Sequence, residues 1–173
     1  VTALLPVPLL PALGIVGIDA AAAPYANPLV FLFLGGFLLA AGVQQWDLHR
    51  RVALAVVSLA GPQPERLVAG VLGATAVLSM WVSNTATAAM MLPIALALAG
   101  LAADESDQDH ARRFTVAILL ASAFGANIGG IATLVGTPPN ALLAGFLADT
   151  HGIEIGFGEW MLVGVPLAGI LLA

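Results

Sequence analysis

Ser79-Met80-Trp81-Val82-Ser83-Asn84-Thr85 lies in the middle of a charge-free run from Leu67 to Ala103. A second such run, from Phe114 to Ala148, is broken by Gly136-Thr137-Pro138-Pro139-Asn140. In hydrocarbon, non-helical backbone survives only where protein buries it or where it lines a polar cavity. Two short breaks rich in hydroxyls, amides and freed carbonyls therefore predict a solute site at membrane depth. They decide the fold class: an all-α membrane protein, a helical bundle with a re-entrant helical hairpin and a discontinuous transmembrane helix.

The composition agrees. Hydrophobic residues make up 60% of the 173 and charged residues 9%, with a mean hydropathy of +1.02. An ordinary soluble domain carries about 25% charged residues. The charge-free stretches are 1–18, 20–46, 67–103 and 114–148, and about 20 apolar residues suffice for one helical span. Cysteine is absent, which excludes a disulfide framework and a thiol nucleophile. A net charge of −5 argues against nucleic-acid binding. No His-x-x-x-His motif and no intramembrane carboxylate pair occurs, so a membrane metalloenzyme has no residues to work with, and the chain reads as a carrier, not an enzyme. Val1–Gly17 and Trp160–Ala173 each read as a span cut short, so the chain is expected to be a piece of something larger.

Sidedness follows from the cations. Arg50, Arg51, Arg66, Arg112 and Arg113 fall in the segments 47–66 and 104–113, and short Arg-rich loops stay on the cytoplasmic side of the inner membrane. The connections around Asp19 and across Asp149–Glu159 carry no cation and belong outside. Segment 20–46 then crosses once. Segment 52–60, too short to span and stopped by Gly61-Pro62-Gln63-Pro64, is expected to lie on the cytoplasmic surface. Segment 67–103 has arginines beyond both ends, so it enters and leaves on one side. Split at Ser83-Asn84-Thr85, its halves reach about 21–24 Å, short of the roughly 30 Å core. A re-entrant hairpin fits that length. Segment 114–148 would be about 52 Å as one straight helix but has to cross once. A break within Gly125–Asn140, which holds Gly125, Gly129, Gly130, Gly136 and a Pro-Pro pair, takes up the surplus.

The breaks also carry chemistry. Asn84 and Thr85 stand where a helix begins, a position that favours Ser, Thr and Asn, and Pro138 and Pro139 suit a first helical turn. Each helix start carries about half a positive charge. Two of them facing one cavity form an anion site that needs no arginine. Unwound carbonyls, the hydroxyls of Ser79, Ser83, Thr133 and Thr137, and the Asn84 amide oxygen are hard neutral ligands suited to Na⁺. Ser79 and Ser83, four apart, are expected to share a helical face. An anion beside a cation lowers the desolvation cost of each, so coupling follows from electrostatics. Ser58, Thr75, Thr87, Thr115 and Ser122 read as residues that bond backbone, and Gly35-Gly36 as a packing contact or hinge, while Asn127 in Gly125-Ala126-Asn127-Ile128-Gly129-Gly130 reads equally as packing or as part of a site. Trp46 and Trp160 read as interfacial anchors, Trp81 as a packing residue beside the hairpin tip, and His49, His110 and His151 as solvated loop residues.

Ser83-Asn84-Thr85-Ala86-Thr87-Ala88-Ala89-Met90-Met91-Leu92-Pro93-Ile94-Ala95 resembles a motif of the divalent anion/sodium symporter family, which includes sodium-coupled dicarboxylate, citrate and sulfate carriers. Ile128-Gly129-Gly130-Ile131-Ala132-Thr133-Leu134-Val135-Gly136-Thr137-Pro138-Pro139-Asn140 is similar to its second motif, and Pro24–Arg51 to the span before them. The resemblance implies two inverted repeats, each with a hairpin and a broken helix, working by an elevator motion in a homodimer set in membrane lipid. It implies Na⁺ as the coupling ion, with Ser79, Ser83, Asn84 and the Gly136 carbonyl as ligands. It implies a C4-dicarboxylate or related divalent anion, faced by Asn84, Thr85, Thr137 and Pro138. Residues 1–66 would then be scaffold spans with a surface helix, 67–148 a transport unit (hairpin 67–100, broken helix 113–148), and 149–173 an outer loop and the start of a further span. Only one copy of each motif is present, so the chain is expected to be one half or a fragment of the carrier. Two other readings stay open: a sodium-independent anion exchanger or proton-coupled carrier of the same fold, and a non-transporting membrane scaffold in which the breaks only pack.

Overall fold

The computed structural model describes residues 2–61, 63–101 and 108–173, and all regular structure among them is helical. One compact unit runs to Gly35 and a second from Gly36 to Ala173. In the first, a 3₁₀ turn at Thr2–Leu4 precedes α1 (Pro6–Ala12) and α2 (Ile18–Ala22), and a second turn, Ala23–Ala26, follows. The Tyr25 hydroxyl ties this turn back by donating to the Ala3 carbonyl. α3 (Pro28–Gln45) begins on a proline, which lacks only a donor that a helix start leaves unused.

The second unit contains α4 (Leu48–Ala60), α5 (Pro64–Ser79), α6 (Asn84–Leu101), α7 (Gln108–Ile131), α8 (Pro138–His151) and α9 (Phe157–Leu172). α4 covers the segment expected as a surface helix and starts four residues before it. Gly61 ends it at φ +71°, a conformation open to glycine. Pro62, the next part of the expected stop, lies outside the described residues.

Both polar breaks fall inside the apolar runs, as 80–83 between α5 and α6 and as 132–137 between α7 and α8. The second is narrower than expected. α7 runs without interruption through Gly125, Gly129 and Gly130, because there the missing side chains admit a neighbouring helix instead of ending this one. Gly36, too, is a packing contact, since a Cβ on it would stand 3.2 Å from that of Val135.

The buried positions of α5, among them Val71, Ala74, Thr75, Leu78 and Ser79, recur at intervals of three and four and so form one face. α7 buries Phe114, Ile118, Ala121, Ser122, Gly125, Ala126, Gly129 and Gly130 in the same rhythm. Met91, Ala95, Leu98 and Ala99 of α6 complete this core. Small residues let backbones approach: a Cβ on Gly125 would lie 2.5 Å from the Leu72 carbonyl oxygen, and one on Gly129 only 2.0 Å from that of Ala76. The two pairs advance together by four residues, so α5 and α7 run side by side in the same direction. Arg66 therefore begins α5 at the same end at which Arg112 and Arg113 begin α7.

Many other large apolar residues face outward. Val116, Leu120 and Phe124 are exposed on α7, Leu142, Leu143 and Phe146 on α8, and Leu162, Val163 and Ile170 on α9. Helices apolar on both their packed and outward faces suit hydrocarbon, not water. α7 is, among the described residues, the one unbent helix long and apolar enough to cross a membrane by itself.

Helices reach further into the charged segments than hydropathy indicates. His49, His110 and His151 sit in α4, α7 and α8 instead of loops, as do Arg112 and Arg113 in α7. The expected outer loop contracts to 152–156, with Asp149 inside α8. Residues 104–107 of the expected Arg-bearing loop lie outside the described residues. The five hydroxyls read as backbone-bonding behave so: Ser58 donates to Ala55 O, Thr75 to Val71 O, Thr87 to Val82 O, Thr115 to Ala111 O and Ser122 to Ile118 O.

Candidate functional site

α5 ends at Ser79, a fully buried residue. Its hydroxyl stands 2.7 Å from the Ala126 carbonyl oxygen of α7 and 2.9 Å from the side-chain amide of Asn84, the first residue of α6. The same amide atom lies 3.1 Å from Ala126 O and 3.2 Å from the Gly136 carbonyl oxygen in the second break. Four segments thus converge on one point. Gly130 makes the approach possible, since a Cβ on it would stand 2.2 Å from Asn84 Oδ1.

Side chains hold the second break in place. The Thr133 hydroxyl donates to the Met80 carbonyl of the first break and accepts from the Gly136 N–H at 3.1 Å. The buried Asn140 amide donates to Gly130 O at 2.8 Å and Thr133 O at 2.7 Å, serving carbonyls that the end of α7 leaves without helical partners. Trp160 of α9 donates from its indole N–H to Ile131 O at 2.9 Å. The end of a broken helix needs a donor, and the indole supplies one. Trp81 packs beside the tip as expected, its ring 6.2 Å from that of Phe157.

Of the residues expected to bind sodium, Ser79, Asn84 and Gly136 come together here. Ser83 does not share a helical face with Ser79, because α5 has already ended. Its hydroxyl is directed at the Ala86 N–H, 3.4 Å away, and its carbonyl accepts from Thr87 N at 2.9 Å, which makes Ser83 the N-cap of α6 in place of Asn84 or Thr85. The Thr133 hydroxyl is likewise occupied by backbone. Thr85 is exposed on the first turn of α6. Thr137 is half-buried and precedes α8 without a side-chain capping bond, leaving its hydroxyl for another partner. Pro138 and Pro139 open α8 as expected.

The two helix starts are not equivalent as anion sites. α6 begins with the free N–H groups of Asn84 and Thr85, ordinary donors of a first turn. α8 begins with two prolines, so it contributes its dipole and the Thr137 hydroxyl but no N–H from its first two positions.

The cluster around Asn84 is satisfied without an ion in only one orientation of its amide. With Nδ2 turned inward, the amide donates among Ser79 Oγ, Ala126 O and Gly136 O, while Ser79 donates its single hydrogen to Ala126 O. With Oδ1 turned inward, Ser79 Oγ, Asn84 Oδ1, Ala126 O and Gly136 O share one hydrogen between them, and Nδ2 donates outward to Asn127 Oδ1 at 3.2 Å. A small hard cation balances that second arrangement, and neutral oxygens are its natural ligands. The Ala126 carbonyl was not singled out by the sequence, whereas Asn127 stood open there between packing and function. A backbone oxygen carries no side-chain mark, but two asparagines, Asn127 and Asn140, within an apolar run were a signal that something polar was being served.

Residues 1–173 match the family model described as citrate transporter, CitMHS. The chain is 41% identical to the protein named sodium-dependent dicarboxylate transporter SdcS of Staphylococcus aureus strain USA300, over 99% of this chain and 34% of that protein. The same figures hold for the proteins of that name from strains NCTC 8325 / PS 47 and bovine RF122 / ET3-1. The chain therefore spans about a third of the length of the curated relatives it matches.

Proposed function

The chain belongs to the citrate transporter family, and from that premise we propose that it supplies one binding half of a secondary active carrier that moves a C4-dicarboxylate or related divalent anion together with Na⁺. The observation that carries this reading is the 3.2 Å approach of the Asn84 amide to the Gly136 carbonyl, which brings the two breaks to one point. Ser79, Asn84 and the carbonyls of Gly136 and Ala126 surround the sodium ion, with Ser83 capping the helix that carries Asn84. Asn84, Thr85 and Thr137 face one carboxylate of the anion, and Pro138 leaves space for it at the start of α8. A second copy of the motifs elsewhere in the full-length protein completes the anion site.

In this proposal α5 and α6, each shorter than the hydrocarbon core, form a re-entrant hairpin, while α7 and α8 form a discontinuous span. The parallel course of α5 and α7 supports entry from one side, and the arginines at their common end make that side cytoplasmic. Residues 67–148 then move as a transport unit against a scaffold that includes 1–66, in a homodimer of the cytoplasmic membrane. The Trp160–Ile131 and Gly164–Ala132 contacts add α9 to the moving part. Labelled succinate uptake into proteoliposomes by the full-length protein is expected to require a sodium gradient. Uptake indifferent to sodium but accelerated by internal dicarboxylate would replace symport with exchange.

A further inference from the structure

The outer end of the Asn84 amide meets a residue to which the site just proposed gives no task. Asn127, on the exposed side of α7, stands 3.2 Å from it. We propose that Asn127 is a positioning residue: it selects which end of the Asn84 amide faces Ser79, Ala126 and Gly136, and so sets how tightly the cluster holds sodium. The inference rests on the sodium reading above and adds a residue to it.

The two ends of an amide demand opposite partners. When Asn84 turns Oδ1 toward the cluster, its Nδ2 points outward and requires an acceptor, which Asn127 Oδ1 provides. When Nδ2 turns inward in the absence of a cation, Oδ1 points outward, 3.2 Å from Asn127 Oδ1, and requires a donor, so the Asn127 amide has to turn as well to present its Nδ2. Gly130 packs against the Asn84 amide, so the group exchanges its ends by rotation in place, without swinging to a new site. Asparagine at 127 serves both states, and the two amides turn together as sodium enters and leaves. A residue able only to accept favours the sodium-loaded state. One able only to donate favours the sodium-free state.

The test is sodium-dependent thermal stabilisation of the purified full-length protein, titrated against a constant total of sodium plus potassium. Asn127→Asp is expected to lower the half-saturating sodium concentration roughly 10-fold, and Asn127→Lys to raise it by a similar factor, the scale of one exchanged hydrogen bond to a charged group. Ala123→Asp and Ala123→Lys place the same charges one turn away on the same exposed face and are expected to shift it less than the changes at 127. Melting temperatures in potassium alone report folding for all four variants. Equal shifts at 123 and 127 reduce the effect to charge alone and overturn the proposal, as does weaker sodium binding in both Asn127 variants. A wild-type protein that sodium does not stabilise overturns the carrier reading itself, and this inference with it.

Discussion

Gly129→Ala is expected to separate α5 from α7 and to leave little folded protein. The added Cβ would stand 2.0 Å from the Ala76 carbonyl oxygen and 2.6 Å from its carbonyl carbon. These are backbone atoms of a helix, so no rotamer change relieves the clash, and the helices have to move apart. Overpacking a core costs about 1–3 kcal/mol where side chains can adjust. Here the backbone itself blocks adjustment, and a loss of at least about 3 kcal/mol is expected. Ser79 and Ala126 lie on the same contact, so sodium binding is lost along with stability. Gly73→Ala, on α5 with nothing within 4 Å, is the matched control and gains up to about 1 kcal/mol of helix propensity. Thermal melts of the two variants in one detergent decide the matter. A Gly129→Ala melt equal to wild type would refute the helix contact.

Asn84→Ala is expected to remove sodium dependence without a comparable loss of stability. The residue is half-buried at the start of α6, where Ser83 and not Asn84 provides the cap, so the helix survives. What disappears is the side-chain amide that contacts Ser79, Ala126 O and Gly136 O together. Losing a hydrogen bond or ligand contact to a charged partner costs about 1.5–3 kcal/mol, so the half-saturating sodium concentration rises by roughly 10- to 100-fold and uptake at physiological sodium collapses. Asn84→Asp keeps an oxygen facing the cluster in either orientation and is expected to retain sodium binding. Uptake by Asn84→Ala with a normal sodium response would remove Asn84 from the site.

The gross plan was legible because the physics behind it is coarse. Charge-free runs, arginine placement and helix rise together required breaks near Asn84 and Thr137, and the helices end there. Ser58, Thr75, Thr115 and Ser122 bond their own helices, as short polar side chains in apolar helices do. The details that escaped depend on contacts between segments far apart in sequence. Ser79 and Ser83 are four apart, but α5 ends between them, so the face-sharing argument had no helix to act on. Thr133 looked like a ligand until its hydroxyl met Met80, a residue 53 positions away. The Trp160 indole donates to Ile131, 29 positions away, a bond that composition could not announce. Pro138 and Pro139 were correctly placed at a helix start, yet the same property that favours them there deprives that start of N–H donors. Nothing local marked Ala126, whose contribution is a carbonyl.

The claim beneath all of this is that neutral oxygens from both breaks hold one sodium ion at Asn84. Density maps of the full-length protein, recorded in sodium and in potassium under otherwise equal conditions, examine it without reference to flux. A sodium-specific peak is expected about 2.4 Å from Ser79 Oγ, Asn84 Oδ1 and the Gly136 carbonyl oxygen, the bond length of a hard cation of this size. Maps that are identical at this point, or that place the sodium-specific peak elsewhere, would contradict it.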